Sequence, residues 1–279
     1  MSDLNTALAR VDSFETSGSS QVRWKLDRAQ TLQRIRELLR HPQQLHQRGL
    51  NACGPAAFFR IWLARDPIAA ADFACALLRD GSAAVGSLTV TASQTLREID
   101  YANLRATTDA AHPRATPEGA DWMLMSALRD SENVFFDYEG RPFTVGDKLA
   151  GLTLPGTLAG WLNATNRYAS VTNETSVVAA GNRPRLLSLI PTSNVDIVWL
   201  VNSSFNAHFY PTQPATPPTV FAGLHIPDHY VVMTAPCGQS GDGAWTNIDV
   251  WTWARTYSGW VGTEDFFSRY FGLILATAR

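Results

Sequence analysis

A chain of 279 residues is long enough to bury a large hydrophobic core, and it fits one large domain or one domain with an added arm. Hydrophobic residues make up 45% of the sequence and charged residues 17%, a globular composition that excludes disorder as the main state. The formal net charge of -2 lacks the basic excess typical of nucleic-acid-binding proteins, so nucleic acid is not an expected partner.

The three cysteines, Cys53, Cys75 and Cys237, cannot form a paired disulfide framework and lack the spacing of zinc ligands, so we expect no metal or other cofactor. Residues 1–11 show no charged segment followed by a continuous apolar run, and no run approaches the roughly 18 apolar residues of a membrane span. We therefore expect a cytoplasmic location in the producing cell and no membrane partner. Export would need a system that does not recognise an N-terminal signal.

The first 41 residues predict an N-terminal arm followed by a single domain over residues 42–279. Residues 1–20 end in a Ser- and Gly-rich stretch, which predicts a flexible segment. Between residues 22 and 39 apolar side chains recur at helical spacing and the arginines fall on the outer face, so an amphipathic helix is predicted. Whether this arm is a pro-segment over the site or only an added helix stays open.

A small-residue turn then passes into a strongly apolar helix over residues 51–63. Pro55 is tolerated there because the backbone donor that it lacks would have no partner in a first helical turn. Further helices are predicted at residues 68–79, at 119–129 with Thr116 or Glu118 before the first turn, and at 157–162.

The second half of the sequence predicts strands. The segments 196–201 and 229–233 are short, apolar and rich in β-branched side chains. In residues 245–253, Ile248, Val250 and Thr252 alternate with Asn247, Asp249 and Trp251. Residues 271–276 close the chain, whereas 186–190 fit either a helix or a strand. Helices followed by an antiparallel sheet predict an α+β fold.

Cys53 lies at the predicted start of the apolar helix. The partial positive charge of a helix N-terminus favours a thiolate over a thiol. Gly54 would let a substrate approach the backbone, and the amide of Cys53 could point at a developing oxyanion. On these grounds alone, a small buried structural thiol explains the position equally well.

Gln47 lies six residues before Cys53, and a Gln at this distance from a Cys that opens a long helix resembles the papain-like cysteine peptidases. The Asn-Ala-Cys-Gly-Pro sequence at residues 51–55 and the His-Tyr-Val-Val sequence at 229–232 are more similar to bacterial relatives that trim bacteriocin leaders than to plant papain. The resemblance covers residues 47–61 and 196–253. It implies a papain-like α+β fold with the nucleophile in the helical half.

The resemblance also implies a role for each residue. His229 would take the proton of Cys53, and Asp249, in an Asp-Val-Trp sequence where the family has Asn-Ser-Trp, would orient His229. Gln47 and the Cys53 amide would stabilise the oxyanion. One departure from the family is Gly54, which replaces an aromatic residue after the nucleophile. Another is the long interval between Cys53 and His229, which implies an insertion.

Each role has competing residues. The alternatives are His208 and His225 for the base, Asn247 for the orienting group, which shares a strand face with Asp249, and Gln43 and Gln44 for the oxyanion donor. Cys75 and Cys237 are expected to be packing residues, and Asp228 is expected to lie in a loop.

The expected function is hydrolysis of an amide in a protein or peptide substrate by a cysteine nucleophile. A peptidase is the leading hypothesis and a protein Gln or Asn deamidase the second, because the same site serves both reactions. A resemblance to toxin-like effectors implies action in another cell and a cognate immunity or inhibitor protein as a partner class. The alternative from another class is an inactive papain-like interaction protein. The Pro-rich segment 211–218 is the expected rim of the cleft.

Overall fold

The computed structural model describes residues 3–17, 22–132, 140–141, 153–176, 183–208, 220–221 and 224–279, and the Pro-rich segment 211–218 lies outside them. The chain divides into two compact units. The helical unit comprises Met1–Thr153 with Ala164–Asn166, and the sheet unit comprises Leu154–Asn163 with Arg167–Arg279. The α+β class predicted from the sequence is confirmed.

The helical unit contains seven described helices and one short hairpin. They are α1 (Asp3–Thr16), α2 (Arg28–Arg40), α3 (Cys53–Arg65), α4 (Pro67–Asp80), α5 (Gln94–Arg97), α6 (Tyr101–Ala111) and α7 (Gly119–Ser131), with a 3₁₀ helix at Pro42–Gln44 and an antiparallel hairpin of β1 (Ser82–Val85) and β2 (Leu88–Thr91). The helices predicted at residues 51–63, 68–79 and 119–129 are therefore present, whereas α6 and the hairpin were not predicted.

The flexible segment predicted for residues 1–20 is wrong over most of its length, because α1 occupies residues 3–16. Ala7, Val11 and Phe14 are buried, and their spacing places all three on one helix face. That face packs on α4, and α2 packs on α7. Helices α1 and α2 therefore both pack on other helices of the helical unit, and the division of the chain falls at Thr153.

Helix α2 begins later than the apolar periodicity predicts. Asp27 caps it, since its carboxylate accepts a hydrogen bond from the amide of Gln30 at 2.8 Å. The preceding Trp24 is buried and donates its indole N–H to the carbonyl of Leu77 at 2.8 Å. Because Trp24 is anchored on α4, the chain before Asp27 is held outside the helix.

Helix α3 is apolar on nearly every side and is the buried centre of the helical unit. The side chains from Cys53 to Phe59 are all buried, as are Ile61 to Leu63. Trp62 makes an edge-to-face contact with Phe73 of α4, with 5.1 Å between ring centroids. A helix buried all round has a fixed position, so its first residue is fixed as well.

The sheet unit contains a seven-stranded antiparallel sheet. Its described elements are α8 (Pro155–Ala164), β3 (Tyr168–Asn173), α9 (Arg183–Ser188), β4 (Val195–Val201), a 3₁₀ helix at Ser203–His208, β5 (Val220–Phe221), β6 (Leu224–His225), β7 (His229–Met233), β8 (Gly238–Gln239), β9 (Trp245–Thr252), β10 (Arg255–Gly262), α10 (Thr263–Phe267) and β11 (Tyr270–Ala278). The strand order is β10-β9-β7-β4-β11-β3, with β8 paired to β9.

One face of the sheet carries an apolar cluster. Trp199 and Val201 of β4, Val231 of β7 and Val250 of β9 belong to it, and α9 and α10 add further apolar side chains. Burying each such side chain stabilises the fold by roughly 1.5–3 kcal/mol. His229 pairs with Val201 and lies on the same face as Val231, because alternate residues of a strand share a face. The core therefore fixes the position of His229.

Candidate active site

Cys53 is the first residue of α3, as the sequence predicts, and it is buried. Ala52 stands at the N-cap and offers no side-chain hydrogen bond, while its carbonyl accepts the amide of Ala56 at 2.8 Å. Backbone N–H groups in the first turn of a helix have no partner inside the helix, and together they favour negative charge at this end. The position suits a thiolate and an oxyanion.

Gly54 is required by packing. A Cβ atom at this residue would lie 2.5 Å from both Cβ and Oγ1 of Thr153. The sequence suggested that Gly54 leaves room for a substrate, but the structure places the Thr153 side chain in that space. Gly54 therefore allows Thr153 to pack against the first turn of α3.

Gln47 is buried, with only 8% of its surface exposed, whereas the competing Gln43 and Gln44 are exposed. Its side-chain Oε1 accepts no hydrogen bond from the residues that the structure describes. A polar atom buried without a partner is costly, so its position needs a physical explanation. Burial therefore separates Gln47 from its competitors, which sequence spacing alone could not do firmly.

The segment before Cys53, residues 44–50, is called here the Gln47 loop. A buried ion pair between Arg34 of α2 and Asp121 of α7 holds its first half, with 2.8 Å between Nε and Oδ2. Arg34 also donates to the carbonyl of Gln44, and Asp121 accepts the amide of His46, both at 2.8 Å. Burial raises the pKa of the Asp121 carboxyl, and the Arg34 guanidinium opposes that rise.

Hydrogen bonds to the backbone hold the second half of the Gln47 loop. The amide of Arg48 donates to Nδ1 of His46 at 2.8 Å, and the amide of Gly49 donates to the carbonyl of Ala115 at 2.8 Å. Arg48 has a φ of 49°, in the left-handed region. Contacts from α2, α7 and the segment after α6 thus fix the backbone on both sides of Gln47.

His229 opens β7 and is buried, with 5% of its surface exposed. Its Nε2 lies 2.7 Å from Oγ1 of Thr252, the last residue of β9. The indole of Trp253 stacks on the imidazole, with 4.4 Å between centroids and 15° between planes. Two consecutive residues thus fix both the rotation and the tilt of the ring.

Burial lowers the pKa of His229 to about 4, and the nearby Asp228 carboxylate opposes this shift. The imidazole is therefore neutral at pH 7, and one of its ring nitrogens carries a lone pair. Asp228 lies just before β7, as predicted, and its carboxylate accepts hydrogen bonds from the amide and the hydroxyl of Ser203.

The structure does not bring Asp249 or Asn247 to His229, so their predicted orienting role is corrected. Met233 pairs with Val250, so Asp249 lies beyond the far end of β7, where its carbonyl accepts the amide of Thr234. Asp249 and Asn247 also lie on the opposite face of β9 from Thr252, because their positions differ from it by an odd number. The sequence prediction chose the strand that pairs with β7, but it chose residues on the opposite face of that strand and at the end away from His229.

The other candidate residues fall in different places. His225 belongs to the short strand β6, and His208 ends a 3₁₀ helix in which its side chain lies outside the described atoms. Burial raises the pKa of Cys75 and of Cys237 to about 12, with a smaller contribution from Asp249 at Cys237. Both thiols are therefore protonated at neutral pH, in keeping with a packing role.

The predicted site residues divide between the units. Gln47 and Cys53 belong to the helical unit, and His229, Asp249 and Asn247 belong to the sheet unit. Within the described ranges, no group of three or more His, Cys, Asp or Glu side chains could hold a metal ion. None of the helices described is both long enough and apolar enough for a membrane crossing.

Sequence reasoning missed Thr252 and Trp253. Thr252 reaches His229 because the odd-numbered residues of β7 share a face with the even-numbered residues of β9, a register that the sequence does not specify. The turn after it escaped notice because Trp-Ala is not one of the Asn-Gly or Asp-Gly pairs typical of two-residue hairpins.

A comparison with known protein families, curated proteins and solved structures finds no match to this chain.

Proposed function

We propose that this protein is a cysteine-nucleophile hydrolase of papain-like architecture, in which Cys53 attacks an amide carbonyl of a protein substrate and His229 is the base. The observation that carries the proposal is the His229 imidazole, which is buried and fixed by two neighbours. A histidine held in this way at the end of a strand is arranged to exchange a proton. The thiol at the start of α3 is the proposed nucleophile.

The proposed reaction has two halves. In the first, His229 takes the proton of the Cys53 thiol as its sulfur bonds to the carbonyl carbon, and the carbonyl electrons move to oxygen. When the intermediate collapses, the C–N bond breaks and His229 gives its proton to the leaving amine. In the second half, water attacks the thioester with His229 as base, and Cys53 leaves as the thiol.

The oxyanion needs donors that are fixed before the reaction begins. The proposed donors are the backbone amide of Cys53 and the side-chain amide of Gln47. The Gln47 loop is held by the Arg34–Asp121 pair, so the position of Gln47 does not depend on a substrate.

Peptide cleavage is the leading reaction and deamidation of a protein Gln or Asn the second, since both start from the same thiol attack on an amide. The role as an exported toxin or effector with an immunity partner stays a prediction. Comparing wild type with Cys53→Ala on a cell proteome separates the reactions. New peptide termini indicate a peptidase, and mass shifts at Gln or Asn indicate a deamidase. A proteome that is identical with both proteins supports the inactive interaction protein.

Thiol labelling tests the nucleophile without knowledge of the substrate. We expect iodoacetamide at pH 6 to alkylate Cys53 while leaving Cys75 and Cys237 unmodified in the folded protein, because the pKa of both controls is about 12. The modified residue is identified by peptide mass spectrometry. If all three cysteines react equally slowly, Cys53 is not an activated nucleophile and the proposal fails.

A further inference from the structure

We propose that the β9–β10 turn, Trp253-Ala254, together with the preceding Thr252, is a strained positioning device for His229 that leaves Nδ1 as the nitrogen that exchanges a proton. The positioning of the ring rests only on the sheet unit. The identity of the proton donor, Cys53, and the choice of tautomer rest on the proposed function.

The first observation is the backbone of the turn. Thr252 pairs with Arg255, so only Trp253 and Ala254 connect β9 to β10. Their φ values are 47° and 61°, both in the left-handed region, which is the requirement of a type I′ hairpin turn. Asn and Gly normally fill these positions, and a bulky residue there is a true outlier.

The second observation is what this backbone achieves. The indole of Trp253 lies flat against the imidazole of His229. The ring of Tyr257 contacts the same indole edge-on, with 6.4 Å between the two centroids. One face of the imidazole is thus covered by an aromatic ring. Strain of this kind persists only where the surrounding structure imposes it, and it concentrates at functional sites.

The third observation assigns the ring nitrogens. Nε2 of His229 is occupied by Oγ1 of Thr252 at 2.7 Å, in a buried position. A neutral imidazole carries one N–H, and a base needs a lone pair on the nitrogen that receives the proton. Oγ1 of Thr252 can either accept from or donate to Nε2, and the proposed base role selects the tautomer in which Nε2–H donates to Thr252 and Nδ1 keeps the lone pair. Thr252 takes the orienting role that the sequence assigned to Asp249.

The turn also offers a matched pair of substitutions. Ala254→Gly and Trp253→Gly each place a glycine at one left-handed position and so relieve backbone strain there, but only Trp253→Gly removes the stacked indole. Thr252→Val removes the hydroxyl at nearly constant volume, and Thr252→Ser restores it. Together, the variants separate the effects of backbone strain, ring stacking and the hydrogen bond.

The experiment is ¹⁵N NMR of the histidine side chains, with His229 assigned by its loss in His229→Gln. In wild type we expect a protonated Nε2 and an unprotonated Nδ1 at pH 7. Thr252→Val should shift population toward the Nδ1–H tautomer, and Thr252→Ser should restore the wild-type spectrum. Trp253→Gly should raise the pH midpoint of His229 toward its ordinary value of about 6.5, since water then reaches the ring. Ala254→Gly should leave that midpoint unchanged.

A wild-type Nδ1–H tautomer would overturn the assignment without any variant. An unchanged spectrum in Thr252→Val, or an equal midpoint in the two glycine variants, would overturn the positioning roles. Cys53 alkylation by iodoacetamide is measured on the same samples. If the NMR results hold but Cys53 is unreactive in wild type, the positioning inference stands and the proposed hydrolase function fails.

Discussion

The Gln47 loop and the β9–β10 turn each hold one candidate catalytic side chain, but they do so by opposite means. A buried ion pair and backbone hydrogen bonds hold the Gln47 loop. The β9–β10 turn has two adjacent non-glycine residues with positive φ, and a stacked ring beside them. Polar contacts to the backbone thus hold the Gln47 loop, whereas packing that overrides backbone preference holds the β9–β10 turn.

Removing one partner of the buried ion pair should give the largest effect. Asp121→Asn leaves the Arg34 guanidinium without its buried counter-charge, and we expect a loss of ~3–5 kcal/mol in the free energy of unfolding. Urea denaturation measures it. The control is Glu37→Gln, because Glu37 also contacts Arg34, at 3.1 Å, but its side chain is 41% exposed, so its loss should cost under ~1 kcal/mol. Equal effects of both variants would show that the buried pair is not the clamp.

The buried imidazole predicts a dependence of stability on pH. The folded-state pKa of about 4 lies below the unfolded value of 6.5, so between these values the unfolded chain binds a proton that the folded chain does not. The contribution of His229 to the free energy of unfolding should therefore be fully present above pH 6.5, and it should fall by roughly 3 kcal/mol as the pH falls to 4. When the free energy of unfolding measured in urea is plotted against pH, the line should be less steep for His229→Gln than for wild type. His225→Gln should give the same steepness as wild type. A slope unaffected by His229→Gln would contradict the burial of a neutral ring.

The close approach at the start of α3 predicts an intermediate effect. Gly54→Ala adds a Cβ 2.5 Å from Thr153, so neighbouring atoms must shift, at a cost of roughly 1–3 kcal/mol. Thermal or urea unfolding measures this cost. In a Thr153→Gly background the same substitution should cost less, and the difference is the coupling energy. An equal cost in both backgrounds would assign the requirement for Gly54 to something other than Thr153.

Relief of the strained turn predicts the smallest effect, and one of opposite sign. Ala254→Gly should stabilise the protein by about 1 kcal/mol, because glycine adopts φ of 61° without steric penalty. Urea denaturation is the measurement, and Gly259→Ala on β10 is a position outside the left-handed region for comparison. A loss of stability on Ala254→Gly would mean that the turn is not strained.

Sequence reasoning predicted the elements whose local pattern and burial agree. The apolar run after Cys53 gave α3, and the alternating residues of β9 gave a strand, because each has one periodicity over its length. The same reasoning failed at α1, because the Ser- and Gly-rich residues that follow were given more weight than the helical spacing of Ala7, Val11 and Phe14. The papain-like assignment stays a proposal.

The candidate site was predictable only where spacing along the chain decides the outcome. Cys53 and Gln47 lie within one short segment, so their relation could be inferred. The partner of His229 depends on the register between β7 and β9, which the sequence does not specify. That is why Asp249, one strand away but on the wrong face, was chosen over Thr252.

The most direct test of the central claim is the rate at which iodoacetamide alkylates Cys53 from pH 5 to 9, in wild type, His229→Gln and His225→Gln. If His229 accepts the thiol proton, His229→Gln should slow alkylation at pH 6 at least about tenfold, while His225→Gln matches wild type. Equal rates in all three proteins would show that His229 does not act on Cys53, and would contradict the proposed hydrolase site.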